Sequence, residues 1–277
     1  EFYFIQNKVQ KEAEKIEQLI TVQATEKLLA LERMAQRWEA SGGTPYDQWQ
    51  SDAQHYVQDI GGLKAVEWVD QTYHIRWAVP LKENEKAIGL NILFDEQREQ
   101  ALKGAADRSA ITLTPPLDLV QGYKAFIAYA PIKHGNDFGG FIVGVFSIED
   151  FLENVTNNEI TENYAIYTEY QGKPFYRRNV FGADLNTEMA ARTDVQIYDK
   201  KWTIYVAPSQ KFVKSQQTAL PFLILVAGLI IAVLLSLTVR FMLLSRMKSH
   251  HISKANVLQD AILSSTEQLV IATDPDG

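Results

Sequence analysis

The chain has 277 residues, with 27 Lys/Arg against 34 Asp/Glu, a formal net charge of −7 at pH 7 and no cysteine. Composition therefore excludes disulfides and cysteine nucleophiles, and scattered, outnumbered basic residues argue against a nucleic-acid partner. The roughly 200 residues ahead of one long apolar run suffice for a sizeable core or two small ones.

Residues 2–39 read as one long helix. Ile5, Val9, Ala13, Ile16, Leu19, Ile20, Leu28, Leu31, Ala35 and Trp38 recur at steps of mostly three and four, with no Pro or Gly before Ser41-Gly42-Gly43. At ~1.5 Å per residue the rod is roughly 55 Å long. Such a rod, residues 1–43, suits a stalk that docks on its own domain and pairs with a second copy as a homodimer. The alternative is a helix packed only within its own domain. The opening EFYFIQ has no Met and no signal peptide, so an upstream membrane helix is expected.

Thr44-Pro45 starts a second helix, 45–60, closed by Gly61-Gly62. The period then switches to two. Strands are expected at Leu63–Val69, His74–Val79, Ala87–Phe94, Ala110–Leu113, Tyr123–Ile132 and Phe141–Ser147, interrupted by a helix at Asp95–Asp107. A helix at Ile148–Val155 leads to a second β-rich block, Tyr164–Tyr170, Pro174–Val180 and Asp194–Ala207, with turns at Gln171–Lys173 and Asp199–Lys201. The expected fold class is α+β: the stalk helix, a larger antiparallel-sheet unit at 44–156, a smaller one at 157–217, then a membrane helix.

Leu220–Val239 is that membrane helix. No charged residue occurs between Lys214 and Arg240, a gap of 25 positions. About 20 helical residues cover a ~30 Å hydrocarbon core. Arg240, Arg246, Lys248 and Lys254 follow, with no acidic residue until Asp260. By the positive-inside rule 242–277 is cytoplasmic, and residues 1–217 lie outside the inner (cytoplasmic) membrane. A helical linker is expected over 242–260, then a strand at Leu269–Ala272 and a turn at Thr273–Gly277.

Five stretches carry a resemblance: GLKAVEWVD (62–70), IRWAVPLKENEKAIGLNI (75–92), REQALKGAADRSAITLTPPLDL (98–119), YKAFIAYAPI (123–132) and GGFIVGVFSIEDFLENV (139–155). In this order and spacing they resemble the CHASE family of extracellular sensor domains. The resemblance implies two tandem PAS-like sheets beside a long helix between two membrane helices, and dimers. AILSSTEQLVIATDPDG (261–277) is similar to the opening of a cytoplasmic PAS domain. The resemblance further implies an output module, most often a histidine kinase of a two-component system, with diguanylate cyclase or phosphodiesterase next.

The residues themselves offer no catalytic constellation, no metal-ligand spacing among the five histidines, no phosphate-cradling loop and no cofactor motif. The chain reads as a binding module for a small-molecule ligand and not as an enzyme. In plant cytokinin-receptor relatives a carboxylate on the helix before the Leu-Thr segment reads adenine. Aligned on Leu113-Thr114, that position falls at Arg98, with Glu96, Gln97 and Glu99 beside it. A guanidinium there favours an anionic ligand; the alternative is a solvated helix residue. By the same resemblance Thr114 and Tyr129 lie on the pocket floor and present hydroxyls, whereas Trp68 and Trp77 read as core. A reading from another class is an interaction or dimerisation module with an exposed apolar patch and no pocket.

Overall fold

A computed structural model describes residues 2–94, 96–135, 137–156, 158–179, 187–216 and 220–270. The chain divides into two compact units, Glu1–Gln217 and Thr218–Gly277.

The first unit is arranged along helix α1, Phe2–Ala40. Ile5, Val9, Ala13, Ile16, Ile20, Ala24, Leu28, Leu31, Met34, Ala35 and Trp38 are buried along one side, the stripe its periodicity predicts. The helix stops where Gly42 and Gly43 adopt positive φ, and the Gly43 amide donates to the Trp38 carbonyl at 2.9 Å. Helix α2, Tyr46–Asp59, then returns against it with Trp49 and Ala53 buried.

Two antiparallel sheets pack on α1. The larger comprises β1 (Leu63–Val69), β2 (Ile75–Val79), β3 (Thr112–Leu113), β4 (Leu117–Asp118), β5 (Lys124–His134) and β6 (Asp137–Ser147), in the order β2-β1-β6-β5-β3, with β4 also on β5. Helix α3, Glu96–Arg108, lies against it. Helices α4 (Ile148–Val155) and α5 (Asn158–Asn163) lead to the second sheet. That sheet comprises β7 (Tyr164–Tyr170), β8 (Lys173–Arg178), β9 (Ala191–Ile197) and β10 (Lys200–Pro208), in the order β8-β7-β10-β9. Helix α6, Gln210–Gln216, ends this unit, and Lys8 Nζ donates to Gln216 Oε1 at 2.7 Å.

One continuous apolar cluster runs from α1 through both sheets. Trp202 on β10 joins them: its ring meets Phe126 of β5 at 5.5 Å and Phe175 of β8 at 5.0 Å, both edge-on. Gly144 on β6 is required here, because an added Cβ would collide with the Leu31 side chain of α1. The rings of Trp38, Trp68 and Trp77 meet at 4.5–5.5 Å on this side, and Trp68 and Trp77, partly buried, pack against the core. The sheets also touch through Asp199, in the β9–β10 turn. It accepts from the Leu113 amide at 3.1 Å and pairs with Arg108 at 3.5 Å.

Two expectations are corrected. Ala87–Phe94 is not a strand: it holds 3-10 turns at Glu85–Ala87 and Ile92–Phe94, with one bridge, His74 to Asn91. Gly89 at φ +80° breaks the extended backbone between them. The Asp194–Ala207 segment folds back at Asp199 as expected, into β9 and β10, and its pairing begins at Ala191. In the second unit a single helix, α7, runs unbroken over Leu220–Val270, so Leu269 and Val270 are helical and not a strand. No Gly or Pro occurs between Gly228 and Pro275 to stop it. Residues 271–277, with the rest of that strand and the turn, lie outside the described residues, as does Val180 of the second block. Phe222–Arg246 of α7 has mean hydropathy 3.0 and no residue of its apolar window is buried, which makes it a candidate membrane span.

Candidate ligand-binding face

Successive strand residues alternate between the faces of a sheet. On the side of the six-stranded sheet away from α1, the register aligns Ala78, Glu67, Val143, Tyr129 and Thr112 in one row across β2, β1, β6, β5 and β3. The next row holds Ala65, Val145 and Ile127. Ala101, Leu102 and Ala105 of α3 pack with Ile127, Tyr129, Phe141 and Val143. Thr112 Oγ1 donates to the Ala101 carbonyl at 2.6 Å, fixing the helix to the sheet.

Apolar packing on this face is interrupted. Val69, Phe141, Val143 and Tyr129 belong to the α3 cluster, whereas Ala65, Ala125 and Val145 form a separate small cluster with Leu119 and Tyr123. Glu67 stands on β1 between them, 9% exposed, with no hydrogen bond or ion pair among the described residues. Burial pushes its carboxyl up to about 7, and the positive charge of Arg98 on α3 opposes that rise. The Tyr123 phenol is also raised, first by burial and then by the charge of Glu67.

The sequence singled out three residues for this site. Arg98 is half-buried on α3, within electrostatic reach of Glu67. Tyr129 is buried in the same face, its ring edge-on to Phe141 at 5.8 Å. About two strand spacings of ~4.8 Å separate it from Glu67. Thr114 is buried just beyond β3, where its Oγ1 accepts from the Ile127 amide at 2.9 Å, so its oxygen helps hold β5 and its proton is left to donate. Glu99, the neighbour of Arg98, instead pairs with Lys103 at 2.6 Å, and Glu96 accepts from Gln100 in an exposed contact.

Glu67 was not among the residues singled out, although its signal was present. Ala65, Glu67 and Val69 fall on one side of β1, so a carboxylate interrupts an otherwise apolar register. A separate recess of about 120 Å³ lies between α1 and α2, lined by Met34, Arg37, Ser41, Trp49 and Asp52 among others. It is below the ~300 Å³ at which small-molecule pockets begin. Its charges are already spent on each other: Arg37 reaches Asp52 at 3.5 Å and donates to the Tyr56 hydroxyl at 2.9 Å.

Residues 7–173 match the model of a family described as the CHASE domain. No curated protein sequence matches the chain. Among solved structures, the ligand-binding domain of the Pseudomonas fluorescens chemoreceptor CtaA, in complex with L-isoleucine, is similar at TM-score 0.55 and 15% identity, over 78% of this chain and 96% of that one. The ligand-binding domain of the Pseudomonas aeruginosa PAO1 amino acid chemoreceptor PctB, in complex with L-Gln, is similar at TM-score 0.56 and 13% identity, over 80% and 98%. An extracellular ligand binding receptor from Desulfohalobium retbaense is similar at TM-score 0.57 and 13% identity, over 70% of this chain; the match spans only 39% of that receptor. At these identities the likeness is one of fold.

Proposed function

The chain belongs to the CHASE domain family, and from that premise we propose that it is the extracytoplasmic sensing part of a transmembrane receptor. It binds a small molecule on the α3 side of its six-stranded sheet. The observation that carries this reading is the interrupted packing of that face, where a buried, unpaired carboxylate meets the charge of Arg98 in an otherwise apolar sheet. Arg98, Tyr129 and the Thr114 proton are the proposed ligand contacts. The two sheets are read as tandem PAS-like units, with the four-stranded one next to the membrane.

A relay follows from the same geometry. A ligand drawing on α3 shifts Arg108 and Leu113, which hold Asp199 in the β9–β10 turn. β10 runs directly into α6, and in this reading the change continues into the membrane span of α7 and an output module such as a histidine kinase or diguanylate cyclase. The ligand must favour one of two arrangements for any signal to pass. Residues 1–217 are outside the inner membrane, residues 242–277 are cytoplasmic, and α1 pairs with its copy in a homodimer. The chain itself performs no chemistry in this scheme.

Two measurements test the reading. All five tryptophans lie in the first unit, so a fluorescence melt of the 277-residue chain in lipid nanodiscs reports that unit alone. Against amines, organic acids, amino acids and adenines, a ligand at about 100 times its Kd adds ~2.7 kcal/mol, a shift of several degrees. Because the chain has no cysteine, single substitutions report sidedness. A membrane-impermeant maleimide should label Val22→Cys in intact spheroplasts, and Ser245→Cys only after lysis; the reverse pattern refutes the topology. The second reading, a docking module for a protein, is favoured by Leu81, Ile88 and Leu90, 40–49% exposed within ten residues. It takes over if no small molecule shifts the melt.

A further inference from the structure

Glu67 carries the strongest unexplained chemistry in the molecule. It is an acid on the inner face of a central strand, 9% exposed and without a hydrogen bond or ion pair among the described residues. Other polar groups on this face are engaged: Thr112 donates to α3 and Thr114 accepts from β5. The side chains next to Glu67 along β1 and across to β2, Ala65 and Ala78, are both small. The apolar clusters on either side of it do not join.

A buried carboxylate lacking donors is costly in its charged form, and the cost is relieved by an ammonium or guanidinium brought to it. Building on the sensor reading above, we infer that Glu67 anchors a cationic nitrogen of the ligand, with Arg98 meeting an acidic group at its other end. The ligand class is then small molecules carrying both an amine and an acid, held between β1 and α3. The inference rests on the placement of Glu67 between the two clusters. The raised proton affinity of its carboxyl comes from burial, which the charge of Arg98 opposes without cancelling.

The test uses the full chain in nanodiscs, with the twenty L-amino acids, γ-aminobutyrate and putrescine as probes. Each is paired with an analogue lacking the amine, the parent carboxylic acid or the diol. At least one amine-bearing acid should raise the melting midpoint while its amine-free partner does not. Glu67→Gln keeps the shape and removes the charge. It should melt higher than the parent when empty and yet bind that probe at least tenfold more weakly, with Glu67→Asp restoring part of the affinity. Equal binding by the amine-free analogue, or undiminished binding by Glu67→Gln, overturns the anchoring role and leaves the sensor reading in place. If no compound of either kind moves the parent chain, this inference fails, and the sensor reading is then decided by the wider panel above.

Discussion

On the α1 side of the six-stranded sheet, Val66, Ala128, Ile142 and Phe146 continue into the core of the four-stranded sheet, with Trp202 bridging them. On the α3 side of the same strands, the apolar residues fall into two unconnected clusters with Glu67 between them. One face carries a single continuous core, whereas the other carries two separate apolar clusters, with Glu67 and the helix-bonded Thr112 in one row across the strands. The contrast arises within single strands: Val66 and Trp68 face the continuous core, and Glu67 faces the α3 side. In the proposed sensor the α3 side can carry a buried acid because the opposite face supplies the cohesion.

The largest expected effect lies on the cohesive face. Trp202→Ala removes the ring that meets Phe126, Phe151 and Phe175, and should cost about 3–5 kcal/mol in denaturant unfolding. A loss below about 1 kcal/mol would break the distinction between the faces.

On the α3 side the sign reverses. The Glu67 carboxyl is raised from 4.5 to about 7 by burial, so the folded chain keeps a proton there that the unfolded chain releases. The stability from this group is complete below pH ~4.5 and is lost as pH rises to about 7. Glu67→Gln removes that dependence. Since its own amide would also lack partners, we expect a gain of only about 2 kcal/mol at pH 8, and little at pH 4. Melts at the two pH values decide the matter, and equal destabilisation at both would make Glu67 a structural group.

Smaller changes sharpen the comparison. Thr114→Val leaves the Ile127 amide without its side-chain acceptor and should cost about 1 kcal/mol, read in the same unfolding curves. Lys64→Ala breaks the 2.9 Å pair with Asp150, whose partners are 45% and 40% exposed. It should stay within about 0.5 kcal/mol of the parent chain and serves as the control.

Much of this was legible along the chain. The α1 stripe from Ile5 to Trp38, the strands at Leu63–Val69 and Phe141–Ser147 and the apolar run of α7 are set by local periodicity, which needs no partner to be read. The site was legible only in part. Arg98 and Tyr129 entered through a resemblance, while the one local signal for Glu67 is a carboxylate in an otherwise apolar register.

What the sequence alone determined, then, is which segments bury a stripe, which alternate, and which can lie in lipid, because side-chain period and charge are properties of consecutive residues. Tertiary structure alone decided that residues 85–94 hold two short 3-10 turns on either side of Gly89, and that Asp199 reaches Leu113 across 86 positions. It also decided that Glu67 and Arg98, 31 positions apart in the chain, share one face. Those outcomes depend on which strand pairs with which, and that pairing is chosen by burial summed over the whole unit, which no single segment encodes.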